Sequence, residues 1–100
     1  MTFVYSPALR GYMEKSGKRC ILVEMVEINN SDLEVSELHV RFADARTRQI
    51  FTTKKRYRVV ETELGEVLLP PFPLQLEDPV TFELRSVLGI KSIRYKGIRV

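Results

Sequence analysis

Val80, Phe82 and Leu84 alternate with Thr81, Glu83 and Arg85, and Leu38, Val40 and Phe42 alternate with Glu37, His39 and Arg41. Successive side chains on a strand point to opposite faces, so each run is a strand with one apolar and one polar face. Strand signals of this kind recur at short spacing with turn residues between them, which favours an all-β chain over the strand and helix alternation of a parallel sheet. Residues 3–6 form a short edge candidate, and 19–28, nearly continuous in apolar character, a central one. Further strands are expected at 34–43, 49–53 and 56–63, the last two on their Thr, Val, Ile and aromatic content. Asp44 to Thr47 should turn the chain between them.

The breaks are as informative as the strands. Asn29-Asn30-Ser31-Asp32 collects residues that tolerate turn geometry and bond their own backbone. Leu64-Gly65-Glu66 ends the strand at 56–63. Pro70-Pro71-Phe72-Pro73 lacks three of the four amide hydrogens a ladder needs, so it crosses an edge or a corner between sheets. Ile93 and Tyr95 give way across Gly97 to Ile98 and Val100, a one-place change of phase suited to a glycine bulge. Residues 7–15 have two readings. Ser6 and Pro7 can open a helix that carries Leu9, Tyr12 and Met13 on one side. A strand over about 9–14, turning at Ser16-Gly17 into 19–28, is preferred because Gly11 weakens the helix.

About seven to eight short strands in 100 residues predict an all-β chain. The expected architecture is a single antiparallel, immunoglobulin-like β-sandwich domain over residues 1–100. A small β-barrel, and a short helix at 7–15, are the alternatives. One Cys and no Trp mean that the paired cysteines and tryptophan of antibody domains are missing, so the likeness is to an architecture alone. A 44% hydrophobic share suffices for one core in a chain of this length. The apolar run Val67 to Leu74 is broken by three prolines and is far short of the ~18 residues that cross a bilayer. The first residues show no basic segment and apolar core of a secretory signal. A location in the cytoplasm or within a viral particle is expected on those grounds, with no membrane partner.

Chemistry needs clustered groups, and the chain has a single His and a single Cys. No catalytic, metal or cofactor residue is therefore assigned, no small-molecule ligand is expected, and the chain is read as a non-enzyme. Cys20 opens the apolar run Cys20-Ile21-Leu22-Val23 and reads as a core thiol. His39 lies on a polar face between Glu37 and Arg41, where an imidazole needs no special role. Glu61 with Glu63, and Glu77 with Asp78, read as surface carboxylates. The five glycines never cluster into a phosphate loop. Asn29 to Asp32 has one carboxylate where a calcium site would have several, and Asn29-Asn30-Ser31, formally a glycosylation acceptor, reads as a turn.

Charge is segregated along the chain. Residues 1–23 carry +3, 24–44 carry −5, 45–60 carry +6, 61–83 carry −6 and 84–100 carry +5, a pattern hidden in the net +3. In the preferred reading, neighbouring strands of opposite sign pair and leave a mixed surface. In the other, the run Lys54, Lys55, Arg56, Tyr57, Arg58 converges with Arg85, Lys91, Arg94, Tyr95, Lys96 and Arg99, and the two tyrosines stack on a ligand. The candidate interaction surface is Lys54, Lys55, Arg56, Tyr57, Arg58, Arg94, Tyr95, Lys96 and Arg99. The function expected is a non-enzymatic protein-interaction or structural module that binds another protein or its own copies, as an accessory component of a larger assembly such as a viral particle. The alternative is nucleic-acid binding through basic segments 46–58 and 85–99.

Overall fold

A computed structural model describes residues 2–30 and 33–99, with side chains throughout except at 28–30 and 33–35. Among these residues the order is β1 (Phe3–Tyr5), α1 (Pro7–Ser16), β2 (Cys20–Asn30), β3 (Leu33–Phe42), α2 (Ala45–Thr53), β4 (Arg58–Thr62), β5 (Gly65–Leu69), β6 (Gln75–Val87) and β7 (Ile90–Arg99). The strands form two sheets, β1-β6-β7 and β3-β2-β5-β4, and neither closes into a barrel. The mostly β reading holds. The antiparallel one is corrected, because β1 runs parallel to β6 and β2 parallel to β5. Both are the kind of pairing that needs a long connection, and α1 supplies part of it by carrying the chain from β1 in one sheet to β2 in the other.

Residues 7–16 are helix, against the preferred strand. The Ser6 hydroxyl accepts from the Leu9 N–H at 3.2 Å, and Pro7 sits where its missing N–H costs nothing. Leu9 and Met13, one turn apart, bury the apolar side. Gly17, at φ +75°, ends the helix with its N–H on the Met13 carbonyl at 2.9 Å. A left-handed glycine suits a helix end and a hairpin turn equally, which is why Ser16-Gly17 misleads.

Residues 45–53 are also helix, replacing the expected turn at Asp44 to Thr47 and strand at 49–53. The Asp44 carboxylate accepts from the Thr47 N–H at 2.7 Å and starts the helix, and Phe51 is its buried residue. Thr52 and Thr53, which favour strands by propensity, turn their hydroxyls back onto the Arg48 and Gln49 carbonyls at 2.9 and 2.6 Å.

Ile21, Val23, Val67 and Leu69 of the four-stranded sheet meet Tyr5, Val80, Phe82, Ile93 and Ile98 of the three-stranded one, with Leu9 and Met13 of α1, in one apolar cluster. The alternate residues Cys20, Leu22 and Leu68 face the other way and are covered by Phe51 of α2 and Tyr57. Strand β5 is thus buried on both faces. The prolines after it carry the chain from β5 to β6, a crossover between the sheets as expected.

Strand β6 starts at Gln75, earlier than the alternation indicates, and its pairing with β7 slips between Leu76 and Thr81, so that residues 77–80 lie opposite Gly97 alone. Pro79, with its cis Asp78–Pro79 peptide, lies in this slip. Gly97, at φ +91°, passes so near that a Cβ would come 3.1 Å from the Pro79 carbonyl oxygen. The expected irregularity is present, with the extra residues on β6. Strands β2 and β3 pair as far as Asn30 and Leu33. Ser31 and Asp32, and with them the carboxylate weighed for calcium, lie outside the described residues.

Candidate interaction site

The two basic segments do not share a face. Lys54, Lys55, Arg56 and Arg58 are exposed between the end of α2 and the start of β4, one edge of the four-stranded sheet. Arg94, Lys96 and Arg99 are on β7, which packs near β3 at the opposite edge of the four-stranded sheet, with Leu38 and Tyr95 both against the core cluster that holds Ile98. Neither tyrosine is presented for stacking. Tyr57 is buried edge-on against Phe51 with centroids 4.9 Å apart, and its hydroxyl accepts from the Met25 N–H at 3.2 Å. Burial holds its pKa above the ordinary phenol value. Tyr95 is half-buried against the main core.

Several blocks of opposite charge do meet across strands and helices. Arg41 pairs with Glu24 at 3.1 Å, Lys96 with Glu83 and Arg99 with Glu77 at 3.4 Å, and Arg10 with Glu63 through two bonds of 3.0 and 3.2 Å. His39 Nε2 lies 3.1 Å from Glu37 in an exposed pair. Lys54, Lys55, Arg56, Arg58, Arg85, Lys91 and Arg94 form no such pair among the described residues.

A cleft of about 620 Å³ opens where α2 begins and is lined by Lys18, Cys20, Asp44, Arg48, Glu61 and Glu66 among others. Three of its charged groups are already engaged. Arg48 gives Glu66 two hydrogen bonds of 2.6 and 2.8 Å, and Asp44 caps its own helix. Burial, then the Glu66 charge, pushes the Cys20 thiol up, which disfavours the nucleophilic thiolate. Among the described residues no three of His, Cys, Asp and Glu gather as metal ligands. The Arg48 bonds hold the Glu66 carboxyl below the ordinary 4.5. A depressed carboxyl contributes stability that is complete above its unfolded pKa and is lost as pH falls through the folded one. Glu66→Gln should therefore cost up to about 1 kcal/mol at neutral pH, and urea melts should show that deficit shrinking as pH falls below 4.5.

A different feature stands out on the three-stranded sheet. Strand β1 pairs with β6 only from Val80 to Phe82, and beyond it β6 and β7 continue as a two-stranded ribbon. Every residue from Arg85 to Ser92 is exposed. At its tip Val87 is 48% exposed, Leu88 97% and Ile90 72%. Leu88 (φ +52°) and Gly89 (φ +80°) form a two-residue hairpin turn in which both positions need left-handed backbone. Asn or Asp suits the first position, and a leucine there costs roughly 1–2 kcal/mol. The turn dictates its conformation, but packing within the chain explains neither its exposure nor the presence of a leucine there. Arg85 and Lys91 stand just behind the tip, the latter 3.1 Å from the Ser86 hydroxyl, and residues 84–99 hold five cations and no carboxylate.

Composition and charge point to residues 85–99 but not to the tip, since Leu88-Gly89 lacks the Asn or Asp that marks such a turn. The available signal is Val87 and Ile90, apolar residues on the polar side of an alternating strand pair and within two residues of a glycine. Among the described residues no helix is long and apolar enough to cross a membrane. No family model, curated protein or solved structure matches the chain.

Proposed function

We propose that this chain is a non-enzymatic protein-interaction module that holds its partner through the β6–β7 ribbon, as an accessory part of a larger assembly. The observation that carries this reading is the ribbon tip, where three aliphatic side chains stand in water on a strained turn. Exposed apolar groups on a projecting element are what a partner's pocket buries, and the cations behind them favour an acidic rim and faster encounter. Seven strands divided three and four match the count of an immunoglobulin-like sandwich, the architecture we favour. The two parallel pairings and two helices are departures from it.

Leu88→Asn separates fold from function. Asparagine accepts the left-handed turn, so the variant should melt at or above the parent temperature, while loss of a buried leucine should weaken binding roughly tenfold or more. A photoreactive side chain placed at Ile90 should capture a discrete protein from the native cell extract, with capture falling in the Leu88→Asn background. The same group at exposed Glu14 on α1 should not. Equal labelling at both positions defeats the proposal. Salt-sensitive labelling of DNA or RNA at position 90 would favour the nucleic-acid reading, through the ribbon alone.

A further inference from the structure

We infer that single-stranded nucleic acid lies across the end of β5, with one base stacked on Phe72 and the adjoining phosphates on Lys54, Arg56 and Arg58. The site is separate from the ribbon and does not depend on it. Its position follows from the strand order. Strand β5 lies between β2 and β4, pairs with Arg58 through Leu69, and then leaves the sheet at Pro70. Past that point β2 runs on through Met25 and Glu27, and the chain entering β4 supplies Lys55 and Tyr57. Between them is a groove of about 350 Å³, lined also by Pro71 and Phe72. The Tyr57 hydroxyl accepts from the Met25 N–H at 3.2 Å and ties the two sides together, so the groove is formed before a ligand arrives.

Two properties select the occupant. The first is charge. Lys54, Lys55, Arg56 and Arg58 are all exposed, and none has a carboxylate partner among the described residues. Lys55 rests its ammonium 4.4 Å from the Phe51 ring centroid, and Glu27 is the one acidic side chain lining the groove. Four cations against one carboxylate favour a polyanion and repel the cationic ribbon of another copy. The second property is the Phe72 ring, which is 50% exposed. A half-exposed ring beside unpaired cations is the combination that holds single strands, because each nucleotide brings a phosphate together with a planar base. An acidic peptide meets the cations and leaves the ring in water. A duplex keeps its bases in their own stack. The stacking ring is thus Phe72, brought to the basic run by the β4–β5 pairing, while Tyr57 is buried in the groove wall. Glu27 opposes the ligand, so Glu27→Gln should tighten binding.

The chain has no tryptophan, so Phe72→Trp places a single fluorescent reporter in the groove and Ile90→Trp places one on the ribbon. Both positions are exposed, and each variant should keep the parent circular dichroism. Oligothymidylate of about 12 nucleotides, and oligouridylate of the same length, are titrated into each at low salt. Quenching is expected at position 72 and not at 90, and the strand that quenches at the lower concentration identifies the preferred sugar. An abasic strand of equal length should bind the parent about tenfold more weakly or worse, and Phe72→Ala should remove that difference. Three phosphate contacts predict that log affinity falls with log salt at a slope of about −2, and Lys54→Gln with Arg58→Gln should reduce it to about −0.7. Absence of binding by both strands at low salt overturns the inference. So does an abasic strand bound as tightly as the intact one, or quenching at position 90 alone. Photocapture at position 90 decides the ribbon's role independently of these results.

Discussion

Gly65→Ala is expected to cost this fold on the order of 3 kcal/mol or more, placing it among the severe single substitutions. Gly65 opens β5 at φ +147°, and a Cβ there would overlap the Arg19 carbonyl oxygen. That oxygen is not free to retreat, because it accepts the Glu66 N–H at 2.8 Å. The bond sits at the start of the β2–β5 pairing, where Cys20 lies opposite Glu66. Moving Arg19 therefore loosens the junction that seats β5 at the centre of its sheet and also disturbs the Arg48–Glu66 pair. Gly17 supplies the control. It too has a positive φ, +75°, yet a Cβ there would meet nothing within 4 Å. Gly17→Ala should cost only about 1 kcal/mol, the price of the conformation without the clash. Urea melts of the two variants separate the terms, and equal destabilisation would sink the argument from close approach.

The contrast between these glycines bears on what can be read from a sequence. Gly17 and Gly65 both announce a break in regular structure; Gly17 follows the last residue of α1, whereas Gly65 is already the first residue of β5. Neither shows from its neighbours that the first ends a helix or that the second passes beneath another strand's carbonyl. The half-buried strands, β3 and the core part of β6, are legible because one face stays in water and the period of two survives. Strand β5 is not legible. With Val67 and Leu69 in the main core and Leu68 under Phe51 and Tyr57, both faces are apolar and the alternation disappears. Helix α2 is hidden for another reason. Its Thr, Ile and Phe residues favour a strand, and a cap at Asp44 with one buried ring at Phe51 overrides them.

The candidate site shows the same division. That residues 84–100 are basic is plain from the chain, whereas the separation of that segment from Lys54 to Arg58 is set by strand order across two sheets. By sequence Tyr57 sits among cations and reads as available for stacking. Its burial follows from a contact with Phe51 six residues earlier, which exists only because α2 is a helix.

Phe82→Ala should have the other large effect, a loss of about 3–5 kcal/mol, as for a fully buried aromatic whose cavity cannot collapse. Phe82 is wholly buried, lies parallel to Phe3 with ring centroids 5.8 Å apart, and meets Tyr5 at 5.9 Å. These three rings fasten β1 to β6, and the parallel pairing there is only three residues long. The position is also the root of the ribbon, since Phe82 faces Tyr95 and the last strongly buried side chain before the tip is Ile93. Truncation should therefore lower the melting temperature by roughly 4–8 °C per kcal/mol, and it should also loosen the arm against the core. Phe82→Leu, which refills part of the space, should recover about half of the loss. Hydrogen exchange in Phe82→Ala should quicken at β1 and at the Leu84 and Ile93 amides, while the β2–β3 pairing keeps the protection set by global stability. Exchange that quickened uniformly, with Leu84 and Ile93 no faster than β2, would show that the arm is not anchored through this ring.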